Sequence, residues 1–232
     1  MTKQNVWNTY SNLRQQELEA VNEKYKSCLD SGKTERECVR HTVTLLQKEG
    51  YRPLEEWTAS GNALHPGDKV YAVCMDKSIA AFQIGSRPLE EGMNILGAHI
   101  DSPRIDVKQN PLYESEEFAY LDTHYYGGIK KYQWVTIPLA LHGVVAKKEG
   151  TVVEVSIGER EEDPVFVITD LLVHLAAKQM EKKANAVIEG EKLDLLFASR
   201  PIDQDKTLKK KKKATVKANV LEILKKYYNM EE

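Results

Sequence analysis

The fold and the chemistry of this chain are both indicated by residues 94–103, NILGAHIDSP. The apolar run predicts a buried β-strand that ends at His99, with Asp101 two residues further on. Because side chains i and i+2 of a strand point to the same face, the imidazole and the carboxylate are expected side by side. A carboxylate beside a metal-bound imidazole fixes the orientation of the ring or takes part in acid–base chemistry. A catalytic zinc usually has three protein ligands, and this stretch supplies one.

The pair His99 and Asp101 also has an ordinary interpretation, because the pattern His-x-Asp occurs by chance in polar turns. Its place at the end of an apolar strand favours a ligand site, since open α/β sheets bind ligands at the carboxyl ends of their strands. Both interpretations stay open on these residues alone.

Helices and a hairpin are predicted before this stretch. Apolar spacing predicts an amphipathic helix over residues 7–30. A second helix is expected to begin at a capping box over residues 34–37 and to end at Gly50. Residues 69–74 and 78–84 predict two strands of a hairpin.

The pattern after Pro103 is rich in β-structure. An N-cap at Asp170 predicts a helix through Met180, and a final helix is expected over residues 214–228. The order is therefore helices, a hairpin, the strand that carries His99 and then a β-rich block, with a domain boundary expected near residues 103–110. Strands are predicted at residues 104–108, 118–123, 136–146, 151–157 and 193–198.

Three further features each allow two interpretations. Residues 123–134, THYYGGIKKYQW, either line a polar pocket or form an aromatic turn that packs on a neighbouring domain or subunit. His174, among leucines on the predicted helix, is either functional or a partly buried structural residue. The five lysines of residues 209–213 form either a patch for nucleic acid or an anionic surface, or a solvated loop before a helix.

Composition narrows the class of protein. The chain has 232 residues, 41% of them hydrophobic, and a formal net charge of −2, which favours neither nucleic acid nor an acidic membrane as partner. Its three cysteines show no paired spacing, as expected for small core thiols in a reducing cytoplasm. No signal peptide or membrane span is evident, so a cytoplasmic protein is expected. A P-loop, a GxSxG elbow and an HExxH zinc motif are all absent from the sequence.

Four sequence words, in order, resemble the aspartyl aminopeptidase family of dinuclear zinc aminopeptidases, in its bacterial branch. The words are GAHIDSPR at residues 97–104, THYYGGIKKYQW at 123–134, PLALHG at 138–143 and ITDLLVHL at 168–175. The resemblance implies an α/β fold class: part of a zinc-peptidase domain with a mixed sheet over residues 1–105, followed by an inserted β-rich dimerisation domain over residues 106–232. It also implies a peptide substrate, two zinc ions in each complete site, and homo-oligomers from dimer to dodecamer.

The resemblance assigns a role to three residues. His99 corresponds to a zinc ligand, and Asp101 to the aspartate that supports the site beside it. His174 corresponds to a histidine that reaches into the active site of a neighbouring subunit and helps to hold the substrate. In such a site the metals activate a water and polarise the scissile carbonyl.

The resemblance further implies a difference in length. Members of the family are expected to be about twice as long and to carry the general-base glutamate and the other metal ligands in the part that has no counterpart here. We therefore expect the 232-residue chain to bind zinc weakly and to be inactive alone. The alternative is a non-catalytic oligomerisation module that pairs with full-length subunits.

Overall fold

The computed structural model describes residues 4–201 and 216–229. The chain forms two compact units, unit 1 (Met1–Ser102) and unit 2 (Pro103–Glu232). The predicted α/β class is confirmed, because helices accompany a mixed sheet in unit 1 and antiparallel sheets in unit 2. The assignment of residues 1–105 and 106–232 to a catalytic and a dimerisation domain stays a prediction.

Two helices begin unit 1, and both begin at a side-chain cap. Helix α1 (Asn12–Ser31) starts after Ser11, whose hydroxyl accepts a hydrogen bond from a backbone N–H of the first turn. The predicted helix over residues 7–30 therefore begins later than expected, after a 3-10 turn (Val6–Thr9). Helix α2 (Glu35–Lys48) begins at the predicted capping box, in which Thr34 and Glu37 exchange hydrogen bonds.

The sheet of unit 1 follows the two helices. Strand β2 (Lys69–Cys74) pairs parallel with β1 (Arg52–Pro53) and antiparallel with β3 (Ser78–Gln83). The predicted hairpin is confirmed, and its turn places Met75 and Asp76 at φ of 51° and 55°, as a type I′ turn requires. A short helix, α3 (Leu54–Ala59), connects the first two strands. The buried hydrophobic residues of this unit are Val39, Val70 and Tyr71.

The prediction of a β-strand over residues 94–100 is wrong. These residues have no regular secondary structure, and Ile95 and Leu96 are 79% and 100% exposed. A strand is stable only when a neighbouring strand satisfies its backbone hydrogen bonds, and no strand in the described part of the chain pairs with this segment.

The described residues of unit 2 form a three-stranded and a two-stranded antiparallel sheet. The first has the order β4 (Arg104–Ser115), β5 (Phe118–Tyr126) and β8 (Leu195–Ala198). The second pairs β6 (Leu141–Ala146) with β7 (Val152–Ile157). The larger of two hydrophobic clusters in the described part of this unit has the buried residues Leu121, Val135, Phe166, Ile168, Ile188, Leu193 and Leu195.

Two predicted elements of unit 2 differ from the structure. Strand β6 does not begin at residue 136, because Thr136 lies at φ +62°, outside the extended region. The helix predicted from Asp170 is reduced to α4 (Ala177–Met180). The leucines between Asp170 and α4 are exposed. A short helix whose apolar side is not packed gains too little free energy from packing to form.

A last helix, α5 (Val216–Tyr228), packs on the three-stranded sheet. Val216 and Val220, one helical turn apart, are buried against Ala119 of β5. The five lysines of residues 209–213, and the predicted start of this helix at residue 214, lie outside the described residues. No described helix has both the length and the hydropathy needed to cross a lipid bilayer.

Gly158, which follows β7, lies where any side chain would lower the stability of the fold. It lies at φ +105°, and a Cβ there would come within 2.9 Å of the Cα of Ala140. We expect Gly158→Ala to lower the free energy of unfolding by about 1–3 kcal/mol, from backbone strain and overpacking together. Urea unfolding followed by circular dichroism measures this loss.

Gly150, in the turn between β6 and β7, is the matched control. Its φ is also positive, at +87°, but a Cβ there would meet nothing within 4 Å. Gly150→Ala therefore carries the strain without the close contact, and its loss should be smaller. Equal losses in the two variants would contradict the packing explanation.

Candidate metal and active-site residues

His99 and Asp101 lie side by side, as the sequence predicts, although no strand holds them. The Nδ1 atom of His99 lies 3.1 Å from Oδ1 and 3.0 Å from the backbone oxygen of Asp101. Both contacts favour a ring with its proton on Nδ1, so that Nε2, on the opposite side of the ring, carries the lone pair. The side chain of His99 is 83% exposed, so this lone pair is accessible to a metal ion.

The described residues do not complete a zinc site on their own. Among residues 4–201 and 216–229, no group of three or more His, Cys, Asp or Glu side chains could hold a metal ion. A catalytic zinc needs about three protein ligands. His99 therefore fits the role of one ligand and Asp101 the role of its orienting partner, and no step of a metal reaction is derived from them.

His174 lies in unit 2, on an exposed segment rather than on the predicted helix. The segment leaves the core after Ile168, which is buried, and returns to it at Ala176, which is also buried. Asp170 stabilises its first turn, because Oδ1 accepts hydrogen bonds from the backbone N–H of Leu171 and from Nε2 of Gln179, both 2.8 Å. We call residues 171–175 the apolar loop, since its other members are exposed hydrophobic residues: Leu171, Leu172, Val173 and Leu175.

The aromatic stretch at residues 123–134 begins at a buried residue and is continuously exposed over residues 124–128. Thr123 is 1% exposed and donates a hydrogen bond to the backbone oxygen of Leu193 at 2.6 Å. The ring of Tyr125 packs on Gly190, where a Cβ would lie only 2.6 Å from the ring. Lys131 places its ammonium group 5.7 Å from the centre of the same ring. The stretch thus packs on its own unit, and neither a pocket nor a subunit contact is assigned to it.

An ion-pair cluster supports the segment on which Tyr125 packs. Lys182 and Lys192 donate to the carboxylate of Glu189 at 2.9 and 2.8 Å. The hydrogen bond from Lys182, followed by that from Lys192, lowers the pKa of Glu189 from 4.5 to about 2.

The lowered pKa predicts a pH dependence. A carboxyl group whose pKa is depressed by folding stabilises the protein above its unfolded pKa, and the contribution disappears as pH falls through the folded pKa. The contribution of Glu189 should thus be present above about pH 4.5 and be lost towards about pH 2. NMR titration of its carboxyl carbon measures this, and Lys182→Met should raise the midpoint. A midpoint of about 4.5 in the unaltered chain would show that the ion pairs do not form in solution.

One polar cluster of unit 2 was missed by the sequence analysis. Asp194 lies on the chain between the buried residues Leu193 and Leu195, and its carboxylate accepts a hydrogen bond from the hydroxyl of Tyr113 at 2.7 Å. Burial, and then the bond to Asp194, raise the pKa of Tyr113 well above its usual value of 10.0. An aspartate between two buried leucines is the signal that could have indicated this cluster, and its role is to join β4 to the segment before β8.

Comparison with known proteins identifies close relatives over the whole chain. A probable M18 family aminopeptidase 1 from Clostridium acetobutylicum is 50% identical over 228 residues, which cover 98% of this chain and 48% of the relative. A crystal structure of aminopeptidase I from the same organism is 48% identical with a TM-score of 0.84, and covers 100% of this chain and 50% of that one. The M18 family aminopeptidase from Thermotoga maritima is 41% identical with a TM-score of 0.85, and covers 100% and 48%.

The model of the aminopeptidase I zinc metalloprotease family, M18, matches residues 28–232, and the chain belongs to this family. The resemblance stated from the four sequence words is therefore confirmed. The chain spans about half the length of the relatives that it matches. Zinc is the metal of the family, and the roles of His99, Asp101 and His174 stay predictions.

Proposed function

We propose that this chain is the N-terminal part of a zinc aminopeptidase, which releases N-terminal residues from peptides. The proposal is supported by the family match and by one observation above the others, the contact between His99 and Asp101. In the proposal, His99 contributes one metal ligand through Nε2, and Asp101 fixes its tautomer and direction. The working metal is zinc, as in the family.

The proposal includes the expectation that these 232 residues do not hydrolyse peptides alone. A zinc held by one imidazole and one neighbouring carboxylate has too few protein ligands to be bound tightly. The described residues offer no third ligand near them. Activity then needs a site with further metal ligands, and His174 would contribute to the site of a neighbouring subunit.

Weak zinc binding at His99 is the direct test of its role. We expect zinc to shift the NMR signals of the His99 ring at concentrations that leave other imidazoles unchanged. Asp101→Asn should weaken this binding about tenfold or more. Loss of the carboxylate that hydrogen-bonds a metal-ligating histidine typically lowers metal affinity by about 10–100-fold.

His65 provides the matched control. It is 74% exposed, and its Nδ1 lies 3.8 Å from the carboxylate of Asp68, a longer contact than that of His99. Asp68→Asn should leave the response of His99 unchanged. If zinc shifts His65 as readily as His99, the proposed ligand role of His99 is wrong.

A second candidate function is a non-catalytic oligomerisation module that pairs with full-length subunits. The observation that favours it is the apolar loop, whose residues Leu171, Leu172 and Leu175 are 54%, 71% and 70% exposed. Several large hydrophobic residues together on an exposed segment are typical of an interaction surface.

Co-expression of a tagged chain with the Clostridium acetobutylicum relative distinguishes the two functions. The module predicts co-purification of the two chains, and loss of co-purification in Leu172→Glu. Val165→Glu is the matched control, since Val165 is 70% exposed in the same unit but lies outside the loop. Absence of co-purification, or equal loss in both variants, would remove the support for this alternative.

A further inference from the structure

Two of the three cysteines lie at one end of the helical pair of unit 1. Cys28 is on the last turn of α1, and Cys38 is on the first turns of α2, after a connection of three residues, 32–34. Cys74, at the end of β2, is on a different element. The prediction of small core thiols is wrong for Cys28 and Cys74, which are exposed.

Gly32 leaves room for the sulfur of Cys38 beside the last turn of α1, on which Cys28 lies. A Cβ on Gly32 would lie 2.7 Å from the sulfur of Cys38 and 3.0 Å from the backbone oxygen of Cys28. The thiol of Cys38 also donates a weak hydrogen bond to the oxygen of Gly32, at 3.6 Å. The absence of a side chain at Gly32 therefore lets the Cys38 sulfur approach the last turn of α1.

The two thiols differ in accessibility. Cys28 is exposed, and no residue of α1 is buried, so a dissolved oxidant can reach its sulfur. Cys38 is partly covered, and burial, followed by the nearby Cys28 thiol and the Glu37 carboxylate, raises the pKa of its thiol. This difference favours Cys28 as the thiol that reacts first and Cys38 as the thiol that resolves the intermediate.

We propose that Cys28 and Cys38 form a reversible disulfide that joins the end of α1 to the start of α2. The oxidant is a low-molecular-weight disulfide such as glutathione disulfide. The Cys28 thiolate attacks one of its sulfurs and releases one glutathione thiol, which leaves a mixed disulfide. The Cys38 thiolate then attacks the Cys28 sulfur and releases the second glutathione. The two protein thiols lose two electrons, and their two protons are carried by the two glutathione thiols.

The bond would join α2 to a helix that buries no side chain of its own. None of the residues of helix α1 is buried. A disulfide across a short connection limits the opening of the two helices. Oxidation should therefore slow hydrogen exchange in the last turn of α1, and reduction should restore it.

Incubation of the full chain with glutathione disulfide, followed by alkylation and mass spectrometry, tests the proposal. We expect a loss of two hydrogens and one internal peptide link, Cys28 to Cys38, with glutathione retained only on Cys74. Cys28→Ser and Cys38→Ser should abolish the link, and Cys74→Ser, the matched control, should leave it unchanged. Dithiothreitol should reverse it.

Other results overturn the proposal. Glutathione that stays on Cys28 while Cys38 remains open to alkylation shows that the sulfurs do not meet. A disulfide that includes Cys74 would show that Cys28 and Cys38 are not the pair that reacts. Because circular dichroism can verify that each serine variant is folded, loss of the link in Cys74→Ser would also count against the assigned pair.

Discussion

Phe166→Ala is expected to lower the free energy of unfolding of unit 2 by about 3–5 kcal/mol. Phe166 is 2% exposed, and its ring stacks on that of Phe197 with centroids 5.2 Å apart and planes at 3°. Removal of the ring leaves a cavity in the core and takes away the stacking partner of Phe197. The loss is a large part of the about 5–15 kcal/mol that stabilises a typical domain. Urea unfolding, with hydrogen exchange of peptides from β5 and β8, measures it for this unit.

Phe118→Ala is the control for this prediction. Phe118 begins β5 in the same unit but is 40% exposed, and its ring meets that of Tyr120 edge-on at 6.5 Å. Its truncation should cost about 1 kcal/mol, since less apolar surface returns to water and no closed cavity forms. If the two variants lose the same stability, the core does not lie around Phe166.

Elements fixed by neighbouring residues were predictable from the sequence. The capping box of Thr34 and Glu37 is confirmed because both partners lie within one turn of helix. The hairpin of β2 and β3 is confirmed because the two strands are neighbours in the chain and are joined by a short turn. The contact of His99 with Asp101 follows from two side chains only two residues apart, even without a strand.

Elements that depend on distant partners were not predictable. Residues 94–100 have the composition of a buried strand, but a strand also needs a neighbour, and composition does not reveal whether one is present. The leucines after Asp170 have helical spacing, but they do not pack on a core and the helix does not form. The bond between Tyr113 and Asp194 joins residues far apart in the chain, so the sequence around Asp194 does not identify Tyr113 as its partner.

A second large effect is expected in the rate of peptide hydrolysis. The family is one of zinc metalloproteases, and the described residues of this chain contain no group of three potential metal ligands. Rate enhancements of enzymes are typically about a million-fold or more, so loss of the complete site should remove essentially all hydrolysis. We therefore expect the purified chain with added zinc to release amino acids from peptides no faster than a zinc-only control.

The most direct measurement is this assay of peptide hydrolysis by the purified 232-residue chain, with zinc, with a chelator, and with His99→Ala in parallel. The account predicts the background rate in all three samples, while NMR detects weak zinc binding at His99 in the unaltered chain with zinc. Hydrolysis that requires zinc, stops with the chelator and is lost in His99→Ala would contradict it, because the chain would then hold a complete site of its own.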